Sequence, residues 1–178
     1  MSEHDTGCLR KLKLPIGVSS SALIDEQYRY WLKHVWGDLP YVAFFMMNPS
    51  GADETVTDNT VAKCDRLAKR WGFGATIIGN ACAYRAKDPK ELLKQKDPAG
   101  PGNLEAWDWI LSQAEFVVIA HGRLPGKLQP YADKMVAHIR TKRPVLNVLK
   151  LLPGGVPAHP LGRGKGHIPE DIIPQEWL

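Results

Sequence analysis

The sequence predicts an α/β protein, a three-layer sandwich with helices on both faces of a mainly parallel central sheet. Three observations lead there. Short apolar runs without polar alternation (YVAFFMM, ATIIGN, FVVIA and VLNVL) recur along the chain, as strands covered on both faces require. Helix-patterned stretches stand between them, and strands alternating with helices build parallel sheets through helical crossovers. The 178 residues, 44% hydrophobic and 24% charged, suit one globular domain over 1–178 with its own core.

The first roughly 20 residues mix charge, Gly and Ser without periodicity and are expected to form a loosely held end. Residues 22–36, ALIDEQYRYWLKHVW, are dense in aromatics and fit a strand or a short helix equally. Residues 41–47 make the strongest strand, which stops at the turn signal Asn48-Pro49-Ser50-Gly51. A polar loop holding Asp53, Glu54 and Asp58 follows. Residues 60–71 then place Val61, Cys64, Leu67, Ala68 and Trp71 on one helical face, with Asp58 or Asn59 as N-cap and Gly72 and Gly74 at the end.

A second buried strand covers 75–80 and continues through Arg85. Asp88-Pro89 opens a short helix to Leu93, a Pro/Gly loop spans 97–103, and 104–113 is helical. The third strand, 116–120, ends at His121-Gly122; a helix over 131–141 and a fourth strand over 145–149 come next. The chain is then Gly- and Pro-rich through Pro169. Ligands of open parallel sheets gather beyond the carboxyl ends of the strands. The residues there are Asn48, Asn80, His121 and, after the last strand, His159.

The formal charge of +4 is unevenly spread: from Arg123 to His167 nine basic residues face Asp133 alone, a net +8 that leaves −4 for the remainder. Clustered Lys and Arg suit a polyanion, DNA above all, or else a solvated basic face. Three separated cysteines form neither a disulfide framework nor a C-x-x-C zinc signature. Without a membrane-length apolar run or signal core, the expected compartment is the cytoplasm. Phosphate-loop, dinucleotide, zincin and nucleophile-elbow motifs are missing, so neither cofactor nor metal is expected.

The run FFMMNPSGADETVTDNT, then KRWGFGATIIGNACAYRAKDPKEL and later HPL, resembles a bacterial and phage family defined as a domain of unknown function, over most of 28–161. A more distant resemblance is to the uracil-DNA glycosylase superfamily. Its fold has three layers around a parallel sheet, and in its mismatch-specific branch the first motif is a strand ending G-x-N-P-G. Here that strand ends Met46-Met47-Asn48-Pro49-Ser50. The superfamily's base-reading Asn at a later strand end corresponds to Asn80, and its final His-Pro motif to His159-Pro160. Met46 and Ser50 replace the two motif glycines, and HPLG stands where HPSP is usual.

The resemblance implies a monofunctional DNA glycosylase that flips a modified base from DNA, such as a hypermodified phage pyrimidine, and leaves an abasic site. Anti-phage defence is one setting the family's distribution implies. Asn48 would orient water and steady the sugar cation, and His159 would donate to the departing base or to a flanking phosphate. Asp58 is either a helix cap or a general base, and Asp53 competes for the second role. Asn80, Tyr84 and Ser50 would contact the base, and Arg85, Arg163 and Lys165 the phosphates. His121 reads as a satisfied hydrogen-bonding residue more readily than as a catalyst. With no lysine in the Asn48 loop, a Schiff-base lyase step is not expected. The alternatives are an enzyme acting on a nucleotide or nucleoside in the same crevice, or a DNA-binding module without chemistry.

Overall fold

The computed structural model describes residues 12–178. In chain order its strands are β1 Leu12–Lys13, β2 Ser19–Asp25, β3 Tyr28–Val35, β4 Tyr41–Met46, β5 Val56–Thr57, β6 Ala75–Asn80, β7 Phe116–Ile119, β8 Leu146–Val148, β9 Leu151–Leu152, β10 Val156–Pro157 and β11 Gln175–Trp177. The helices are α1 Asn59–Arg70, α2 Asn103–Gln113 and α3 Gln129–Lys142, with a 3-10 turn at Pro89–Lys94. Of the loosely held end expected from the sequence, residues 1–11 lie outside the described residues. From Leu12 onward the chain pairs: β1 joins β5, and β2 begins at Ser19.

Seven strands form one sheet in the order β11-β8-β7-β4-β6-β3-β2. The four apolar runs are its interior: β6–β4, β4–β7 and β7–β8 are parallel. The outer pairings β3–β6, β2–β3 and β8–β11 are antiparallel. The expected mainly parallel sheet is therefore corrected to a mixed one. The reason lies in the edges. Residues 19–35 fold as a hairpin whose outer strand alternates exposed and half-buried residues, the pattern of an antiparallel strand with one wet face. That hairpin also resolves the ambiguous aromatic segment 22–36. At the other edge Gln175–Trp177 runs back along β8.

Helices cover both faces. On one, Val61, Cys64, Leu67 and Ala68 of α1 bury against Val42, Phe44, Ile78 and Val118. On the other, Trp107, Ile110 and Leu111 of α2 and Met135 and Ile139 of α3 bury against Ala43, Phe45, Ile77, Val117 and Val148. Each such large apolar side chain contributes about 1.5–3 kcal/mol by leaving water. Gly79 permits the close approach of α2, since a Cβ there would stand 2.7 Å from Ile110 Cδ1 and 2.8 Å from Phe45 Cε1. No described helix is long and apolar enough to cross a membrane.

The connections create the site. From β4 the chain passes through α1 to β6 on one side, whereas from β7 it passes through α3 to β8 on the other. The loops leaving β4 and β7 therefore diverge between adjacent strands and open a crevice at their carboxyl ends. Asp58 caps α1 by accepting from Val61 N at 2.9 Å. On the far side of α1, Lys63 Nζ donates to Ile168 O at 3.0 Å and Trp71 Nε1 to Ile172 O at 2.8 Å. These bonds strap the segment that follows His159 to the helix.

Candidate functional site

The crevice holds a cavity of about 320 Å³ lined by residues from every loop at that end of the sheet, among them Asn48, Ser50, Asp58, His121 and His159. Asn48 follows β4 directly. Its Nδ2 donates to Pro49 O (3.0 Å) and Ala86 O (2.8 Å). Both amide hydrogens are thereby used, and Oδ1 remains as an acceptor. Ser50 Oγ donates to Asp58 Oδ2 at 2.7 Å, while Oδ1 of the same buried carboxylate caps α1. Asp58 is thus both the cap and a wall of the cavity. Asp53 does not line it: burial works against its charge, but hydrogen bonds from Thr55 and Val56 and the nearby Arg85 hold its pKa below the usual value.

The two histidines carry opposite tautomers. Leu161 N donates to His159 Nδ1 at 3.1 Å, so the neutral ring carries its proton on Nε2 and is a donor there. His121 Nδ1 stands 2.7 Å from Gly122 O; only Nδ1–H can make that bond, which leaves Nε2 of the neutral ring an acceptor. Burial lowers both pKa values from the ordinary 6.5, opposed at His159 by Asp58 and at His121 mainly by its own hydrogen bond. Both rings are neutral at neutral pH. Gly122 brings the two turns together: at φ +74 its Cα approaches so closely that a Cβ would lie 3.0 Å from His159 Cβ.

A second concave region of about 380 Å³ adjoins the first through Gly122, Arg123 and His159, and is flanked by Arg163 and Lys165. The 159–166 loop that carries these residues is tightly folded. A Cβ on Gly162 would collide with Gly166 O, and Gly162 N donates to His159 O at 2.9 Å.

Three expected site residues stand apart from the cavity. Asn80 ends β6 in register with Met46, which does line it. Gly79 faces α2, and Thr76 Oγ1 donates to Asp65 of α1, so strand alternation puts Asn80 on the α1 face. It is buried there behind the cavity wall, and neither Nδ2 nor Oδ1 has a partner. Tyr84 makes an edge-on contact with Tyr28; the strand expected to run on through Arg85 is there only an isolated bridge between these two tyrosines. Arg85 Nη2 lies 3.9 Å from Asp53 Oδ2 and so braces the loop.

The cavity also holds residues that the sequence did not single out: Arg29, Lys87 and Arg123. A charged residue inside an aromatic strand, YRYW, was the one available signal for Arg29. Cys64 and Cys82 are buried free thiols, and burial pushes Cys82 up to about 12 and Cys64 well up, so neither is a ready nucleophile. Among the described residues no group of three or more His, Cys, Asp or Glu is placed to hold a metal ion.

With the geometry in place, comparison with known proteins gives one finding. The model of the family described as "Protein of unknown function (DUF1643)" matches residues 29–161. The chain belongs to that family. The match runs from Arg29 at the inner wall of the cavity to Leu161, which closes the ring of His159. No curated protein and no solved structure matches the chain.

Proposed function

We propose that this protein is a DNA glycosylase of the uracil-DNA glycosylase type, which hydrolyses the N-glycosidic bond of a modified base and leaves an abasic site. One observation carries the reading. Asn48 and Asp58 of the β4–α1 connection and His159, far along the chain, line one cavity at the switch point of the sheet, beside a basic region containing Arg163 and Lys165. The parallel interior of the sheet, with helices on both faces, agrees with the fold this reading asks for.

Cleavage leaves the electron pair of the C1′–N bond on the base and positive charge on the sugar. Water then adds its oxygen to C1′ and gives up a proton. Asn48 Oδ1, the free end of an otherwise committed amide, accepts a hydrogen bond from that water and faces the cationic sugar. Asp58 receives the proton in the same cavity. His159, neutral with its hydrogen on Nε2, donates to the base as negative charge builds there. Arg163 and Lys165 hold backbone phosphates beside the cavity. No sequence information is needed for that contact.

The test is incubation of the protein with naturally modified phage DNAs, scored for alkali-labile sites and released free base. Both products on at least one modified DNA are the expected result. Turnover of a free nucleotide or nucleoside, with intact DNA throughout, would overturn the reading in favour of a small-substrate enzyme. Salt-sensitive DNA binding without any bond cleavage would instead leave a binding module.

A further inference from the structure

Arg29 is the most deeply buried charge of the cavity. Only 2% of the residue is exposed, yet it lines the same space as Asn48 and His159. A β-bulge puts it there: Leu23 pairs with Trp31 but Ile24 with Arg29, so β3 carries one residue more than β2 at that point. Bulges turn a strand and re-aim the side chains beside them. Its backbone N–H is anchored on Ala83 O at 2.9 Å.

The guanidinium is poorly matched by the protein. Of its five N–H groups, Nη1 donates to Ala52 O and Nε is enclosed with no partner. Among the described residues no carboxylate lies within ion-pair distance of it; Arg85, by contrast, reaches Asp53. Asp58, whose two oxygens accept from Ser50 and Val61, acts on Arg29 only through space. Burial of a charge without a paired partner is strongly unfavourable. Burial is also what lowers the Arg29 pKa to about 10, offset in part by Asp58. Around the same cavity Lys87 and Arg123 add two cations, and Asp58 is the single acid.

We propose that Arg29 is a specificity residue whose missing partner comes with the substrate: an anionic substituent, a carboxylate in the first instance, on the ring that enters the cavity. The planar fork of a guanidinium matches a carboxylate and offers donors only. A ring with an acidic group is therefore favoured over the same ring with an amide or amine in its place. A backbone phosphate is a poorer candidate for this place. Phosphates have exposed cations at Arg163 and Lys165, whereas Arg29 is reached only by what passes inward. The inference rests on the glycosylase reading and names the class of base it acts on.

The experiment is a calorimetric titration of the whole chain with 5-carboxyuracil, its neutral 5-carboxamide and uracil, for the parent protein and for Arg29→Gln and Arg29→Lys. The expected result is a preference for carboxylate over carboxamide on the order of 10- to 100-fold, the scale of one charge-assisted hydrogen bond. The preference should vanish in Arg29→Gln and survive in part in Arg29→Lys. Should Arg29→Gln fail to fold, the parent ratio and Arg29→Lys still decide. Equal binding of carboxylate and carboxamide by the parent overturns the inference alone. Failure of every ring to bind overturns the inference; if modified DNA also yields no abasic sites, the glycosylase reading falls with it. A parallel titration compares thymidine 5′-monophosphate with thymidine; a preference for the phosphate that disappears in Arg29→Gln would put phosphate against Arg29 and also overturn the inference.

Discussion

Gly122→Ala separates the architecture of the site from its chemistry. At φ +74 an L-residue pays about 1–2 kcal/mol for the left-handed conformation. Alanine would also set its Cβ 3.0 Å from His159 Cβ, inside the roughly 3.5–4.0 Å at which carbon atoms attract. His159 must therefore retreat by several tenths of an ångström. Gly154→Ala is the control: its φ is +85, but nothing lies within 4 Å of the added Cβ. Gly154→Ala should lose about 1–2 kcal/mol, or roughly 2–8 °C in Tm for a chain of this length, and Gly122→Ala more, because the contact with His159 adds to the same backbone cost. Only Gly122→Ala should also move the His159 ring resonances and its titration in NMR. The assay pairs urea unfolding with histidine NMR. An unmoved His159 in Gly122→Ala, with stability equal to that of Gly154→Ala, would refute the close approach on which the site geometry depends.

Three further outcomes follow from the same structure. Burial lowers both cavity histidines below 6.5, so between each folded value and 6.5 the unfolded chain binds more protons. Their contribution to stability is then complete above pH 6.5 and is lost as pH falls through the folded values; a chemical-denaturation series from neutral to acid should fall with that sign, and His159→Gln should flatten it. Asn80→Leu should leave stability unchanged or raise it by up to about 1–3 kcal/mol, since it removes two buried polar atoms without partners; a clear loss in urea unfolding would reveal a partner such as bound water. Charge reversal at Arg163 and Lys165 should weaken DNA binding whatever the sequence and reduce the log–log salt slope by about 0.9 for each phosphate left without its cation; an unchanged slope in a salt titration would remove both from the interface.

Much of the sheet interior was legible because its signals are local. Tyr41–Met46 and Ala75–Asn80 carry no charged residue and no regular polar alternation, so burial on both sides was the natural reading. The apolar face of α1 was equally plain, and of the two cap candidates, Asp58 and Asn59, the cap is Asp58. The edges were not. Tyr28–Val35 carries an aromatic at nearly every second or third position, and only the hairpin with β2 fixes its period. Gln175–Trp177 is too short and polar to announce a strand.

The site was legible in the same uneven way. Asn48 and His159 were found because strand ends and turns are visible in sequence. Asn80 was placed at the right end of its strand, but its face depends on the parity that Gly79 and Thr76 establish. Arg29 was missed because its direction depends on a bulge, which is a property of two strands together. His121 was read as a satisfied hydrogen-bonding residue, and its Nδ1 indeed stands 2.7 Å from Gly122 O; its place in the cavity wall is what the sequence did not show.

The most direct test of the central claim is to compare the parent, Asn48→Ala and Asn48→Asp on a modified DNA that the parent cleaves, counting abasic sites and released base. Asn48 holds its amide nitrogen on Pro49 and Ala86 and keeps Oδ1 as an acceptor. Asn48→Ala should slow base release on the order of 10²-fold or more, the loss typical of one preorganised polar group, with DNA binding nearly intact. Asn48→Asp should keep or gain activity, because a carboxylate both steadies a sugar cation and activates water. Base release by Asn48→Ala at the parental rate would contradict the assignment of this cavity as the place where the bond is cleaved.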